Sequence, residues 1–127
     1  MELARAIESL QAAELCLREG LVNSAASRAY YAMFQAAQAA LEAEGLVRLE
    51  WSHKSLHAIF NQELIQRRKL YPRALRDYLT LALVVRQAAD YEESGVSAKV
   101  AQRQVHRAAV FVQRVEEVIG RGRPTQR

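Results

Sequence analysis

The sequence predicts an all-α fold, an up-and-down four-helix bundle with an additional short helix, five helices in all. Apolar residues recur at helical spacing, prolines number only two, and hydrophobic residues, many of them alanine, make up 50% of the chain. Short connections between long helices favour antiparallel neighbours. With 127 residues, the chain is expected to form one domain: a bundle over residues 1–119 and a flexible basic tail over 120–127.

Glycines, prolines and capping residues predict where each helix begins and ends. Gly20, Gly45 and Gly95 are expected to end helices, and residues 45–51 are expected to form a loop. The first expected helix runs from about Glu2 to Glu19, and the second from a cap at Asn23 or Ser24 to Glu44. The third begins at a cap at Ser52 and has an apolar stripe that reaches Leu64. The fourth runs from Pro72 to about Glu93, and the fifth from a cap at Ser97 to Ile119.

Composition excludes several classes of protein. The single Cys16 rules out an intramolecular disulfide framework, and it agrees with a reducing cytoplasm. The chain has no apolar run of 18 residues, and charged residues are spread through residues 1–20. We therefore expect neither a membrane span nor a signal peptide, and we expect a cytoplasmic protein.

Positive charge is concentrated in two places. The formal net charge is +4, and the three arginines after Gly120 account for most of it. A second concentration lies between the third and fourth helices, where it can attract phosphate or form a solvated turn. This basic connection comprises Arg67, Arg68, Lys69, Arg73 and Arg76.

A polar pair interrupts the apolar stripe of the fourth helix. Arg86 and Asp90 continue the stripe begun by core residues such as Leu75 and Leu79, and burial there is costly unless the two are paired or functional. One interpretation is an ion pair that fixes helix or subunit packing. The other is a guanidinium that binds phosphate beside Tyr91. From the second helix, Arg28 and the following Tyr30-Tyr31 can reach the same region.

His53 and His57 are the only histidines at a spacing found in metal sites. They are four residues apart on the third helix, but no Cys, His or acidic residue at matching spacing completes a ligand set. We expect His53 to assist the helix start near Ser52, and His57 to lie on a partly exposed face. The sequence also lacks a glycine-rich phosphate loop, a nucleophile elbow and paired catalytic carboxylates. No metal and no cofactor are expected.

Four segments in register give the chain a family resemblance. Asn23 to Phe34 contains Arg-Ala-Tyr-Tyr-Ala, and Ser52-His53-Lys54, Phe60 and the segment from Arg86 to Tyr91 follow in order. Over about residues 1–119 the sequence resembles the HEPN (higher eukaryotes and prokaryotes nucleotide-binding) domain, particularly small stand-alone members. The resemblance implies a helical bundle that forms homodimers. It also implies frequent pairing with a minimal nucleotidyltransferase, often in toxin–antitoxin systems.

One departure from the family pattern concerns catalysis. Ribonuclease members carry an arginine followed, after four to six residues, by a histidine, and two such motifs meet across the dimer. Arg86 matches the arginine, but Tyr91 stands where a histidine is expected. Since a phenol has a reference pKa near 10, Tyr91 is a poor base at pH 7. The binding role of the arginine therefore carries over more safely than nuclease activity.

Three functions remain open at this point. The favoured hypothesis is a homodimer that binds a nucleotide or RNA and acts with a minimal nucleotidyltransferase partner. Under this hypothesis the protein itself is not expected to be an enzyme. The alternatives are a metal-independent ribonuclease toxin that uses His53 or His57, and a non-catalytic interaction module with an architectural Arg–Asp pair. Catalytic roles would fall to Arg86 and Tyr91 if activity remains. The expected ligand-binding residues are Arg86, Asp90, Tyr91, Arg28, Tyr31 and His53.

Overall fold

The computed structural model describes residues 2–122 and confirms the all-α class. Within this range the chain forms five α-helices and a π-helical segment, and no strand. No helix among them combines the length and the apolar character needed to cross a membrane. The elements are α1 (Glu2–Arg18), α2 (Val22–Ala43), α3 (His53–Ile59), the π-helical segment (Phe60–Arg67), α4 (Ala74–Tyr91) and α5 (Ala98–Gly122).

Helix α2 forms the centre of the bundle, where it packs against α1, α4 and α5. Its small side chains let these neighbours approach closely, and the larger Tyr30, Met33 and Leu41 fill the remaining volume. A buried polar contact joins α1 to α2, because the Ser9 hydroxyl donates to Gln35 Oε1 at 2.7 Å. The buried alanines of α2 are Ala25, Ala26, Ala29, Ala32, Ala36, Ala37, Ala39 and Ala40.

The predicted cap at Ser52 is confirmed. Ser52 Oγ accepts from the Ser55 backbone at 3.0 Å, and Ser55 Oγ accepts from the Ser52 backbone at 3.1 Å, which completes a capping box. The helix then changes to π-helical geometry at Phe60, a feature that the sequence analysis did not predict. Such segments are uncommon, and they often occur near functional sites.

Other helix boundaries differ from the predictions. Asn23 does not cap α2; its Oδ1 instead accepts from the Val96 backbone at 2.9 Å, which ties the start of α2 to the turn at Gly95. Helix α4 begins at Ala74, after Pro72, and ends at Tyr91, before Glu93. Ser97 caps α5 as predicted, since its Oγ accepts from the Val100 backbone at 3.1 Å.

The predicted tail at 120–127 begins too early. Helix α5 continues beyond Ile119 and includes residues 120–122, so the first part of that range is helical. The apolar stripe did not predict that residues 120–122 are helical, because these residues are exposed and add no apolar side chain to the core. The rest of the expected tail, residues 123–127, lies outside the described residues.

Candidate functional site

Arg86 and Asp90 form the ion pair that their spacing on α4 suggested. Arg86 Nε lies 3.2 Å from Asp90 Oδ2, and only 15% of the Arg86 side chain is exposed, against 28% for Asp90. Asp90 Oδ2 also accepts a long hydrogen bond of 3.4 Å from the Ser27 hydroxyl on α2. The pair therefore lies between α2 and α4, at the end of the apolar stripe that includes Leu75 and Leu79.

The guanidinium of Arg86 is only partly satisfied by the protein. Nε is buried, and although it is close to Asp90, its N–H is not directed at an acceptor well enough to form a hydrogen bond. The Arg86 Cζ atom lies 5.1 Å from the centre of the Tyr31 ring, a cation–π distance. Tyr31 and Asp90 thus hold the cation in place, while N–H donors remain for an anion.

A buried tyrosine joins two histidines next to this arginine. The Tyr30 side chain is fully buried, and its hydroxyl lies 2.7 Å from His53 Nδ1 and 2.9 Å from His57 Nε2. The His53 ring also contacts Phe34 edge-on, with 5.4 Å between ring centres. Because His53 and His57 lie one turn apart on α3, both can face the same α2 residue.

This contact corrects the predicted role of His53. His53 does not assist the helix start, which Ser52 and Ser55 cap. His57 is partly exposed, as predicted, and its Nε2 atom also contacts the Tyr30 hydroxyl. Both rings bind Tyr30. Ser27 is the site neighbour that sequence reasoning missed, and so are the contacts that Tyr30 makes with His53 and His57. Their signal was indirect: two histidines at helical spacing, and a tyrosine in an alanine-rich helix that is expected to be buried.

Burial and positive charge perturb the acid–base behaviour of the cluster. Burial first, and the Arg86 charge second, lower the pKa of His53 below its ordinary 6.5. Burial first, and His53 second, lower the pKa of His57. Burial raises the pKa of Tyr30 well above 10, although the Arg86 charge opposes this shift. At neutral pH both imidazoles are therefore neutral and Tyr30 keeps its proton.

These shifts predict acid lability. Between the lowered folded pKa values and the ordinary 6.5, the unfolded chain binds more protons than the folded chain, so the free energy of unfolding falls as pH falls through this window. Urea unfolding at several pH values from 7.5 downwards measures this slope. His57→Asn should flatten it, whereas His106→Asn, at an exposed position on α5, should not. An equal slope in both variants would contradict the assignment.

Two expected ligand-binding residues lie apart from the cluster. The Tyr91 side chain is 76% exposed at the end of α4, and it makes no side-chain hydrogen bond or ring contact among residues 2–122. Arg28 is also exposed, and no ion pair with a described residue positions it toward Arg86. The structure thus brings Arg86, Asp90, Tyr31 and His53 together, and leaves Tyr91 and Arg28 outside.

The basic connection is partly neutralised by ion pairs. Arg67 Nε contacts Glu63 at 2.8 Å, Arg68 contacts Glu44 at 3.2 Å, and Arg76 contacts Asp77 at 3.2 Å. A cleft of about 370 Å³ opens beside it, with Trp51 and Ile59 in its wall. This cleft does not include Arg86. Glu63 and Glu44 therefore occupy two of the arginines beside this cleft.

Metal ligands do not converge in the described part of the chain. Over residues 2–122, no group of three or more His, Cys, Asp or Glu side chains is placed to hold an ion. His53 Nδ1 and His57 Nε2 each form a hydrogen bond with the Tyr30 hydroxyl. The donor set therefore favours a hydrogen-bonded network of side chains.

Comparison with known protein families places the chain in a defined class. The structure is a helical bundle with a polar cluster around Arg86. The sequence matches the HEPN domain model over residues 2–118, nearly the whole chain. The protein belongs to the HEPN domain family. A comparison with curated proteins finds no match. At the family level, the match supports a nucleotide- or RNA-related helical domain.

Proposed function

We propose that the protein binds a nucleotide or RNA through a phosphate group held by Arg86. The observation that carries this proposal is a mostly buried arginine whose Nε has no satisfactory hydrogen bond and whose cation rests on the Tyr31 ring. A guanidinium offers five donors in a planar fork, which matches phosphate oxygens. Asp90 serves as a resident counter-ion, which partly neutralises Arg86 until an anion binds.

His53 supplies a second contact within the same site. The Arg86 charge acts on the His53 ring, which indicates that the two groups are near each other, and Tyr30 holds His53 through Nδ1. The other ring nitrogen, Nε2, makes no hydrogen bond to a described residue. Arg86 and His53 together provide a cation and a neutral imidazole for one ligand.

A second candidate function is metal-independent RNA cleavage, which the position of His53 favours. In that chemistry an imidazole removes a proton from the attacking hydroxyl, and an arginine stabilises charge on the phosphoryl group. His53 comes from α3, in contrast to the α4 histidine of the family's ribonucleases. Tyr91, which replaces that histidine in sequence, is exposed and lies apart from the cluster.

Four proteins tested on one RNA distinguish binding from cleavage: the parent, Arg86→Ala, His53→Asn and Tyr91→His. We expect the parent to bind RNA with measurable salt dependence and to cleave it slowly or not at all. Strong cleavage by the parent that disappears in Arg86→Ala and His53→Asn would establish the nuclease. A gain of cleavage in Tyr91→His would indicate a binding site that lacks only its base. No binding by any of the four would leave an architectural ion pair.

HEPN domains often dimerise, and we propose a homodimer for this chain. The outer face of α4 supports this proposal. Leu81 and Val84 are 47% and 57% exposed, and Tyr91 continues the same face two turns later. Arg86 lies on the opposite side of the helix, toward α2. A dimer centred on the outer face therefore leaves one Arg86 cluster in each protomer, away from the middle of the contact.

Charge on the outer face of α4 should break this dimer. We expect the parent to sediment as a dimer at micromolar concentration, and the double variant Leu81→Glu, Val84→Glu to sediment as a monomer, because buried carboxylates oppose association. Leu15→Glu is the matched control, since Leu15 is 52% exposed on α1. A monomeric parent would contradict the proposed dimer. A dimer that survives the double variant would place the interface elsewhere, including beside Arg86.

The proposed partner is a minimal nucleotidyltransferase protein, with which the chain would form a toxin–antitoxin pair. Only the family resemblance supports this part of the proposal. Co-expression of the chain with a nucleotidyltransferase from a neighbouring gene, followed by co-purification, is the direct test. A stable complex would support the pairing, whereas separate elution of two well-folded proteins would argue against it.

A further inference from the structure

The hydroxyl of Tyr30 imposes a strict proton count on the two histidines. It contacts one nitrogen of each ring, His53 Nδ1 at 2.7 Å and His57 Nε2 at 2.9 Å. A neutral imidazole carries one N–H, and a tyrosine hydroxyl carries one proton to donate. Tyr30 can therefore donate to only one of the two rings, and the other ring must donate its N–H to the Tyr30 oxygen.

Opposite tautomers of the two rings follow from this count. The ring that accepts from Tyr30 carries its N–H on the outer nitrogen, and the ring that donates to Tyr30 leaves a lone pair there. The outer nitrogens are Nε2 of His53 and Nδ1 of His57. With both rings neutral, the pair always presents one donor and one acceptor away from Tyr30.

The surrounding charges decide which ring presents the lone pair. Arg86 is the cation that acts on His53, whereas the neighbour that acts on His57 is His53 itself. Arg86 is paired with Asp90 and lies over the ring of Tyr31, the residue that follows Tyr30, so its charge is close to the two rings. A nearby cation favours an unprotonated nitrogen on the ring that is closer to it.

We propose that Tyr30 and His57 are positioning residues that hold His53 in its Nδ1–H tautomer, so that the Nε2 lone pair accepts a hydrogen bond from a hydroxyl of the ligand. This inference rests on the proposed phosphate binding at Arg86. A ligand that satisfies both contacts carries a phosphate and a nearby hydroxyl, as a ribonucleotide does. His57 matters because its Nε2 atom accepts the hydrogen bond that the Tyr30 hydroxyl donates. Tyr30 matters because its oxygen accepts the hydrogen bond that the Nδ1–H group of His53 donates.

Long-range ¹⁵N spectra of the imidazoles, recorded on the free protein at neutral pH, test the tautomers directly. We expect His53 to show N–H on Nδ1, and the Nδ1 atom of His57 to carry its proton as well, with the Tyr30 hydroxyl bridging the rings. Tyr30→Phe keeps the buried ring and removes the hydroxyl, so His53 should shift toward the Nε2–H form. An Nε2–H form of His53 in the parent would overturn the proposal.

Binding of a short RNA and of the 2′-deoxy oligonucleotide of the same sequence gives the second readout. The parent should prefer the RNA several-fold, up to about tenfold, as expected for one neutral hydrogen bond. Tyr30→Phe should lose that preference and retain salt-dependent binding through Arg86. His57→Asn, which also alters the Tyr30 partner, gives an independent check if Tyr30→Phe folds poorly, and His106→Asn is the control at an exposed histidine.

The two proposals fail in different ways. Equal binding of the two oligonucleotides by the parent would overturn this inference and leave phosphate binding at Arg86 intact. No binding of either oligonucleotide would overturn the proposed function, and the inference with it. A preference for RNA that persists unchanged in both Tyr30→Phe and His57→Asn would also overturn the role assigned to these residues.

Discussion

Replacing Arg86 by alanine is expected to weaken RNA binding by roughly 10- to 100-fold, because hydrogen bonds to charged groups contribute about 1.5–3 kcal/mol. The variant should also lower the slope of affinity against salt concentration, since one phosphate contact is lost. Fluorescence anisotropy with a labelled short RNA at several salt concentrations measures both effects. The fold should survive, because Asp90 is 28% exposed and still accepts from Ser27.

Arg114→Ala is the matched control for this experiment. Arg114 also forms an ion pair with an acid on its own helix, at 3.5 Å from Glu117, but its side chain is 44% exposed on α5. Its loss should change affinity little. Arg86→Lys separates charge from geometry, since lysine keeps the charge and lacks the planar fork. Equal affinities for Arg86→Ala and Arg114→Ala would remove Arg86 from the site.

Replacing Phe111 by alanine is expected to lower the free energy of unfolding by about 3–5 kcal/mol, the largest effect on stability that we anticipate. Phe111 on α5 is fully buried and stacks on Phe60, with 5.6 Å between ring centres. Phe60 in turn contacts Tyr71 at 5.5 Å, so the substitution opens a cavity where the π-helical segment meets α5. Urea unfolding followed by circular dichroism measures the change.

Val110→Ala is the neighbouring control for the Phe111 variant. Val110 lies one residue away and is 39% exposed, so its truncation removes less buried surface. We expect an effect within about 1 kcal/mol, as is usual for surface substitutions. A loss of less than about 1 kcal/mol in Phe111→Ala would show that this aromatic contact is not part of the stabilising core.

Local pattern in the sequence was sufficient to predict the five α-helices, but it did not predict the π-helical segment or every helix boundary. Apolar spacing and the caps at Ser52 and Ser97 depend on residues that are only a few positions apart. They can therefore be recognised in the sequence without knowledge of the tertiary structure. The same holds for Arg86 and Asp90, because residues four apart on a helix are neighbours in any fold. Asn23 was misassigned since its side chain contacts Val96, a partner far along the chain.

The rest of the site depends on how distant segments meet. His53 and His57 bind Tyr30 across separations of 23 and 27 residues, and the path of the loop between α2 and α3 decides that contact. Spacing alone allowed a metal pair, a capping role or a surface position. Tyr91 is the opposite case, a residue that the sequence placed in the site and the structure does not. Its position in the motif suggested a site residue, but at the end of α4 it is 76% exposed.

The most direct test of phosphate binding at Arg86 is a titration of the protein with a short RNA, followed by ¹H–¹⁵N spectra of the arginine Nε–H groups and the histidine rings. If Arg86 binds the phosphate, its Nε signal and the His53 ring signals will shift together and yield one dissociation constant. The Arg114 signal should remain in place. Shifts confined to Arg67, Arg68 and Arg76, with Arg86 and His53 unchanged, would contradict the proposed site.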